Sequence, residues 1–158
     1  MKKRVDYSTF SWILTLIVTA ALGIGLAVSK DEPAALYPLL IIVFGLYLPA
    51  LFFAPIYISA NENEIEIDSS FKIRSIPMSE VSSVERYRPL PSTIRTCASG
   101  GFLGYWGTFR DSVVGKYVGY WGNKNDCFLV ILKSGKKYLL GCRDCDAMMD
   151  YIKSHIKK

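Results

Sequence analysis

The chain has 158 residues, 51% of them hydrophobic, and a formal net charge of +5. This length leaves room for one small domain beside a membrane segment. No block of five or more Lys or Arg residues occurs, so the positive charge does not favour nucleic-acid binding. After residue 58 there are 15 Lys and Arg against 11 Asp and Glu, a net charge of +4 that suits a domain beside an anionic membrane surface or an ordinary solvated face.

Two long apolar runs near the start of the chain predict a membrane hairpin. Residues 10–28 and 34–58 contain no charged side chain, and only a short polar segment separates them. About 20 apolar residues are what a helix needs to cross a bilayer core. We therefore predict spans over about 10–28 and 36–58, which divide the chain into a hairpin of residues 1–58 and a second domain of residues 59–158.

The charges that flank the hairpin predict its orientation. Residues 1–4 are basic, whereas the connection between the runs holds Lys30 against Asp31 and Glu32. Because positive residues stay on the cytoplasmic side, we expect a multi-pass protein of the inner or plasma membrane with both termini in the cytoplasm. A cleaved signal peptide ending near Ser29 is the alternative, and the length of the first run and the second run directly after it argue against cleavage.

Beyond the hairpin the hydrophobic period becomes that of strands. Glu64–Asp68 alternates strictly between polar and apolar residues, and residues 71–74 alternate again after a Ser-Ser turn, which predicts a β-hairpin. Residues 127–133 are apolar on both faces and predict a central strand, with residues 136–141 as its partner after a Ser-Gly turn. Apolar residues at helical spacing predict a terminal helix over about 145–157.

Residues 88–122 are rich in glycine and aromatic side chains. Seven of the 12 glycines lie between Gly100 and Gly122. Glycine at this density marks bulges and tight bends, so we expect a long, partly ordered loop followed by strands near 105–110 and 117–121. The run lacks the Gly-Lys-Ser/Thr ending and the strand-to-helix context of nucleotide-binding loops.

Three segments occur in a recognisable order: residues 76–85 (IPMSEVSSVE), the Gly/aromatic run 104–109, and residues 128–140 (FLVILKSGKKYLL) leading into the helix. In this order, after a two-helix hairpin, they resemble the bacterial pleckstrin-homology-like (PH-like) membrane proteins over residues 56–156. The resemblance implies a curved, seven-stranded sandwich or partly open barrel capped by the C-terminal helix. It also implies a non-catalytic module without a cofactor that acts through self-association or protein contacts.

The resemblance also directs attention to basic side chains. Eukaryotic PH domains that bind phosphoinositides use basic residues on their first two strands, where this chain offers only Lys72 and Arg74 beside four carboxylates. That pattern argues against a specific inositol-lipid site. We therefore predict a membrane-anchored module that assembles with itself or with a membrane protein, and an anionic-lipid surface sensor is the alternative. The predicted lipid- or partner-binding residues are Lys72, Arg74, Arg86, Arg88, Arg95, Trp106 and Trp121.

The cysteines allow a third hypothesis. Cys142 and Cys145 form a C-x-x-C pair where the last strand meets the helix, and a thiolate at a helix amino end has a lowered pKa. A thiol-based redox regulator is therefore an alternative to two small residues at a strand–helix joint. A zinc site would need further ligands from Cys97, Cys127 or His155, brought together by folding. No metal site is predicted, and His155 has no predicted nucleophile in reach.

Overall fold

The computed structural model describes residues 1–156, which form two long apolar helices and a β-sandwich with a third helix packed on it. The helices are α1 (Thr9–Val28), α2 (Pro33–Phe53) and α3 (Cys145–Ile156), and one 3-10 turn covers Met78–Glu80. Ten strands occur in this described part of the chain: β1 (Lys2–Arg4), β2 (Tyr57–Ala60), β3 (Glu64–Asp68), β4 (Ile73–Pro77), β5 (Val81–Arg86), β6 (Ile94–Ala98), β7 (Tyr105–Asp111), β8 (Gly115–Trp121), β9 (Cys127–Leu132) and β10 (Lys137–Gly141).

α1 and α2 form an antiparallel pair whose side chains are mostly exposed. With 20 and 21 residues, both are long and apolar enough to cross a membrane. Thr19 and Tyr47 share a hydrogen bond, and Gly25 faces Leu39, so the two helices run in opposite directions. Ser8 caps α1 by accepting a hydrogen bond from the N–H of Ser11. Since few of their residues are buried, these are not core helices of the sandwich.

The second helix ends earlier than the sequence pattern predicts. α2 stops at Phe53, and Tyr57 and Ile58, which the apolar run assigns to the predicted span 36–58, belong to β2. The cause is Pro55, because the residue before a proline is pushed toward extended backbone, and Ala54 adopts φ −64° and ψ 123°. The first apolar run, residues 10–28, lies within α1. For the third helix, residue 157 of the predicted range 145–157 lies outside the described residues.

The strands form two sheets, which confirms the predicted PH-like sandwich with a C-terminal helix. The four-stranded sheet has the order β1-β2-β3-β4, and the six-stranded sheet has the order β5-β9-β10-β8-β7-β6. All pairs are antiparallel except β10 and β8. Ten strands replace the expected seven. One of them is β6, which lies within the segment that the sequence predicts to be a partly ordered loop.

The core lies between the sheets and under α3. Ile58, Ile65 and Ile67 point inward from the first sheet, whereas Met148 and Ile152 of α3 cover the open end; all five are 0% exposed. Fully burying a side chain of this size stabilises a fold by about 1.5–3 kcal/mol. The alternation of apolar residues in β3 and their helical spacing in α3 have the same cause, because both sets of side chains enter this core.

The segment before α1 belongs to the sandwich, which the sequence did not predict. Lys3 of β1 pairs with Ile58 of β2, and the N–H of Val5 donates to the carbonyl of Ile56. Val5 is 2% exposed within the core, and the N–H of Arg143 donates to the carbonyl of Arg4. Both ends of the apolar helix pair therefore enter the same domain.

Candidate functional site

The loop between β6 and β7, residues 99–104, lies against both apolar helices. The N–H of Leu103 donates to Thr15 Oγ1 over 3.0 Å, and the ring of Phe102 meets Tyr47 edge-on at 5.2 Å between centroids. The backbone of Gly101 approaches Phe10 so closely that a Cβ would lie 3.1 Å from its ring. These contacts fix one corner of the sandwich to the first turns of α1.

A second contact joins the β3–β4 turn to the end of α2. The N–H of Phe71 donates to the carbonyl of Leu51, and Arg74 Nη1 donates to the carbonyl of Phe52 over 2.9 Å. The guanidinium also lies 4.4 Å above the ring of Phe53. Arg74 therefore acts as a cation at the carbonyl end of α2, where it satisfies a free backbone acceptor. The side of the sandwich that faces the helices is thus defined by two loops.

A cavity of about 310 Å³ lies beside the start of α1, on this same side. Its wall includes two cations, Arg95 and Lys124, and neither forms an ion pair within residues 1–156. Phe10, on the rim, is 59% exposed along α1. The full lining is Ser8, Phe10, Pro89, Leu90, Pro91, Thr93, Arg95, Tyr105, Phe109, Trp121, Asn123 and Lys124.

An aromatic stack forms the base of the cavity. Trp121, only 3% exposed, lies parallel to Tyr105 at 5.4 Å and against Phe109 at 4.5 Å between ring centroids. Gly119 permits this packing, because a Cβ at that position would lie 2.0 Å from the indole of Trp121. The glycine and aromatic residues of this region therefore build a rigid wall, which the sequence pattern interprets only as bends and bulges.

Two of the predicted site residues, Arg95 and Trp121, meet at this cavity. Trp106 stacks on Phe53 of α2 at 5.7 Å instead, where it helps to seat the sandwich on the helix. Lys72 and Arg88 are exposed at other places and contribute nothing to the cavity wall. The sequence missed Lys124 as a site residue, and the only signal was its position in a polar Asn-Lys-Asn turn.

Arg86 has a structural role at the start of α3. Its guanidinium donates to Asp146 Oδ1, to Cys145 Sγ over 2.6 Å and to the carbonyl of Asn125 over 2.6 Å. The side chain thus ties β5 to α3 and to the turn before β9. Because its donors are used within the fold, this residue is poorly placed to bind an external phosphate.

The C-x-x-C pair does not show the environment of a reactive thiolate. Cys142 and Cys145 are buried, and burial raises the pKa of Cys142 to about 12. Burial also raises the pKa of Cys145, although the neighbouring Arg86 opposes that effect. Among the described residues, no three His, Cys, Asp or Glu side chains converge as metal ligands. The geometry thus favours the structural interpretation of this pair over the redox and metal hypotheses.

His155 is engaged within the last turns of α3. Its Nδ1 lies 2.8 Å from the carbonyl oxygen of Tyr151 and 3.0 Å from Ser154 Oγ, which itself donates to that carbonyl. The imidazole also stacks on the Tyr151 ring at 4.3 Å. These contacts give the histidine a local partner and do not position it as a general base.

Two sheets packed around one core, with a C-terminal helix against them, define the class as a PH-like module. A family model for the bacterial PH domain matches residues 56–156, from the residue before β2 to the end of α3, and the chain belongs to this family. The matched segment leaves out β1, α1 and α2. No curated protein and no solved structure gave a significant match.

Proposed function

We propose that this protein is a membrane-anchored, non-catalytic PH-like module that assembles with itself or with another membrane protein at the cytoplasmic face. α1 and α2 form the anchor and cross the bilayer twice. The pairing of β1 with β2 supports this topology, since it requires both ends of the helix pair to lie on one side. The basic residues of β1 favour the cytoplasm as that side.

The free edge of the six-stranded sheet is the observation that carries the assembly proposal. In the described structure β6 pairs only with β7, and four of its five residues are exposed. Ile94, at the start of the strand, is 63% exposed. An open edge of this kind offers unpaired N–H and C=O groups to another strand, and an exposed isoleucine adds apolar contact area. β5, at the other edge, packs against α3, although four of its six residues are exposed.

Native Cys97 provides a probe of this edge, because it lies on β6 and is the exposed one of the four cysteines. Treating membranes that contain the full chain with a short bis-maleimide should give a cross-linked dimer, or an adduct with a partner protein that also has a reactive thiol. Ile94→Lys places a charge on the edge and should suppress the product. Val113→Lys is the matched control, since Val113 is 69% exposed but lies in the β7–β8 turn.

The two adducts separate self-association from binding to another protein. If only the monomer is seen in native membranes, and light scattering in mild detergent also reports a monomer without a partner, assembly through β6 is refuted. An equal loss of product in Val113→Lys would show that the edge has no special role. Cys97→Ser establishes which thiol reacts.

Anionic-lipid recognition is the second candidate function. The observation that favours it is a pair of cations, Arg95 and Lys124, in the wall of a cavity beside the start of α1, neither of which has an ion-pair partner among residues 1–156. Side chains at such a position lie within reach of headgroups if α1 enters the bilayer near Thr9.

A further inference from the structure

We propose that the cavity beside the start of α1 binds the phosphate headgroup of one anionic phospholipid from the surrounding leaflet. The inference rests on the proposed insertion of α1 and α2 into the membrane. It does not require assembly through β6, although Arg95 belongs to that strand. The ligand is a lipid, so its acyl chains remain outside the protein. A soluble phosphate ester is the other source of such a group, and displacement of the lipid by glycerol phosphate would indicate it.

The position of the cavity matches the depth of a headgroup. The N–H of Ser8, on the cavity rim, donates to the carbonyl of Gly122 over 3.0 Å, so this wall is level with the cap of α1. Thr15, which accepts from Leu103, lies six residues after Thr9, or about 9 Å deeper along the helix. The β6–β7 loop therefore reaches the apolar zone, whereas the cavity remains at the polar surface.

The cations of the cavity are suited to a phosphate. The guanidinium of Arg95 lies directly over Gly100. A Cβ at position 100 would be 1.9 Å from Nη1, so only a glycine leaves room for the guanidinium in this position. A guanidinium offers parallel donors to two phosphate oxygens, and Lys124 adds a mobile positive charge. On the same wall, the hydroxyl of Thr93 is buried and faces the hydroxyl of Tyr117.

The size and apolar surface of the cavity restrict the ligand further. A volume of about 310 Å³ accepts a headgroup, and it lies at the lower limit for small-molecule pockets, so a whole lipid does not fit. Tyr105 and Trp121 supply the amphipathic rings that are typical of the membrane interface. Phe10 continues from the rim along the exposed side of α1 and provides a surface for the acyl chains.

The test uses the full chain in mixed micelles that contain phosphatidylglycerol and phosphatidylcholine in equal amounts, with native mass spectrometry to count retained lipids. The wild-type chain should retain one phosphatidylglycerol with a preference of about tenfold over phosphatidylcholine, as expected for charge-assisted hydrogen bonds. The double variant Arg95→Gln/Lys124→Gln should lose this preference. Both side chains are exposed, so the fold should tolerate glutamine, and circular dichroism checks it.

A matched double variant, Lys116→Gln/Lys133→Gln, removes the same charge elsewhere. Lys116 is near the start of β8 and Lys133 follows the end of β9, so both lie at the strand ends opposite Trp121 and Cys127. The control should retain the wild-type preference. If both double variants lose it equally, general surface charge explains binding and the site is refuted. It is also refuted if the wild type retains the two lipids equally or if the cavity variant behaves as the wild type.

Two further measurements identify the source of the phosphate and separate the two proposals. Glycerol phosphate at millimolar concentration should leave the lipid bound, and its displacement of the lipid would assign the cavity to a soluble ester instead. Retention of the chain in carbonate-washed membranes tests the anchor on which both proposals depend. With the anchor established, the absence of a Cys97 cross-link in the wild-type chain refutes assembly alone, and the absence of a lipid preference in the wild-type chain refutes the headgroup site alone.

Discussion

Three buried thiols make the stability of the sandwich sensitive to alkaline pH. Burial raises the pKa of Cys142 from 9.0 to about 12, and burial also raises the pKa of Cys127 and Cys145. The unfolded thiol ionises at the lower value, so the stabilisation is complete below about pH 9 and is lost as pH rises toward about 12. Burial of Tyr117, which raises its pKa to about 12 from 10.0, acts in the same direction.

We therefore expect the free energy of unfolding to fall as the pH rises from about 9 toward about 12, as measured by denaturant titration of the full chain in detergent. Cys142→Ala removes one of the titrating groups and should reduce the slope, whereas Cys97→Ser changes an exposed residue and should not. If the free energy of unfolding stays constant with pH, or if Cys142→Ala has the same pH slope as the wild type, ionisation of the buried thiols is not coupled to folding.

The face of Arg74 on its strand can be predicted from the sequence, but its binding partner cannot. The alternation of β4 correctly places this side chain opposite Ile73 and Ser75 along the strand. Its role depends on the carbonyl of Phe52 at the end of α2, 22 positions earlier, and no local pattern contains that contact. The same holds for Arg86, whose partners Asn125 and Asp146 come from two later segments.

Among the secondary-structure elements, β1 has an effect beyond its three residues. It covers the edge of β2, and Val5 directly after it enters the core. A fragment that spans residues 56–158 contains the family domain but lacks this strand, so we expect it to have a lower melting temperature and to self-associate through the uncovered edge. A synthetic peptide of residues 1–8 should bind the fragment and raise its melting temperature, measured by circular dichroism.

A peptide in which Val5 is replaced by Asp is the control for this complementation. The buried position of Val5 leaves no room for an unpaired carboxylate, so this peptide should not stabilise the fragment. Equal stabilisation by both peptides, or a fragment that is already as stable without either, would contradict an essential role of β1.

The elements that the sequence predicted are those with a clear hydrophobic period. β3 and α3 each bury one defined face and β9 buries both of its faces, and their composition shows it. β1 and β6 are different, because one is entirely basic and the other is an edge strand with mostly exposed residues. Their strand state comes from pairing with β2 and β7, so it is a property of the tertiary structure.

For the whole molecule, the proposed topology predicts which thiols an impermeant reagent can reach. Lys30→Cys places a cysteine in the connection between α1 and α2, and native Cys97 lies in the sandwich. In intact cells an impermeant maleimide should label Lys30→Cys in a Cys97→Ser background and should leave native Cys97 unlabelled. Permeabilised cells, in which both should react, serve as the control. Labelling of Cys97 from outside would reverse the orientation.

The cavity is likewise a feature of the whole molecule. It combines the start of α1, the segment before β6 and the turn after β8, which lie far apart in the chain. The sequence identified Arg95 and Trp121 by residue type alone. It had no means of joining them to Phe10, because the seating of the sandwich on the helices depends on distant contacts such as Leu103 with Thr15.

In the proposed topology, the pairing of β1 with β2 would link folding to membrane insertion. β1 is synthesised before α1, whereas its partner β2 is synthesised only after α2. In the proposed topology the two strands meet only if the chain crosses the bilayer and returns. A chain that stopped after a single crossing would leave them in different compartments, with the sheet incomplete. Under that topology, this ladder would form only in a molecule that has crossed the bilayer twice.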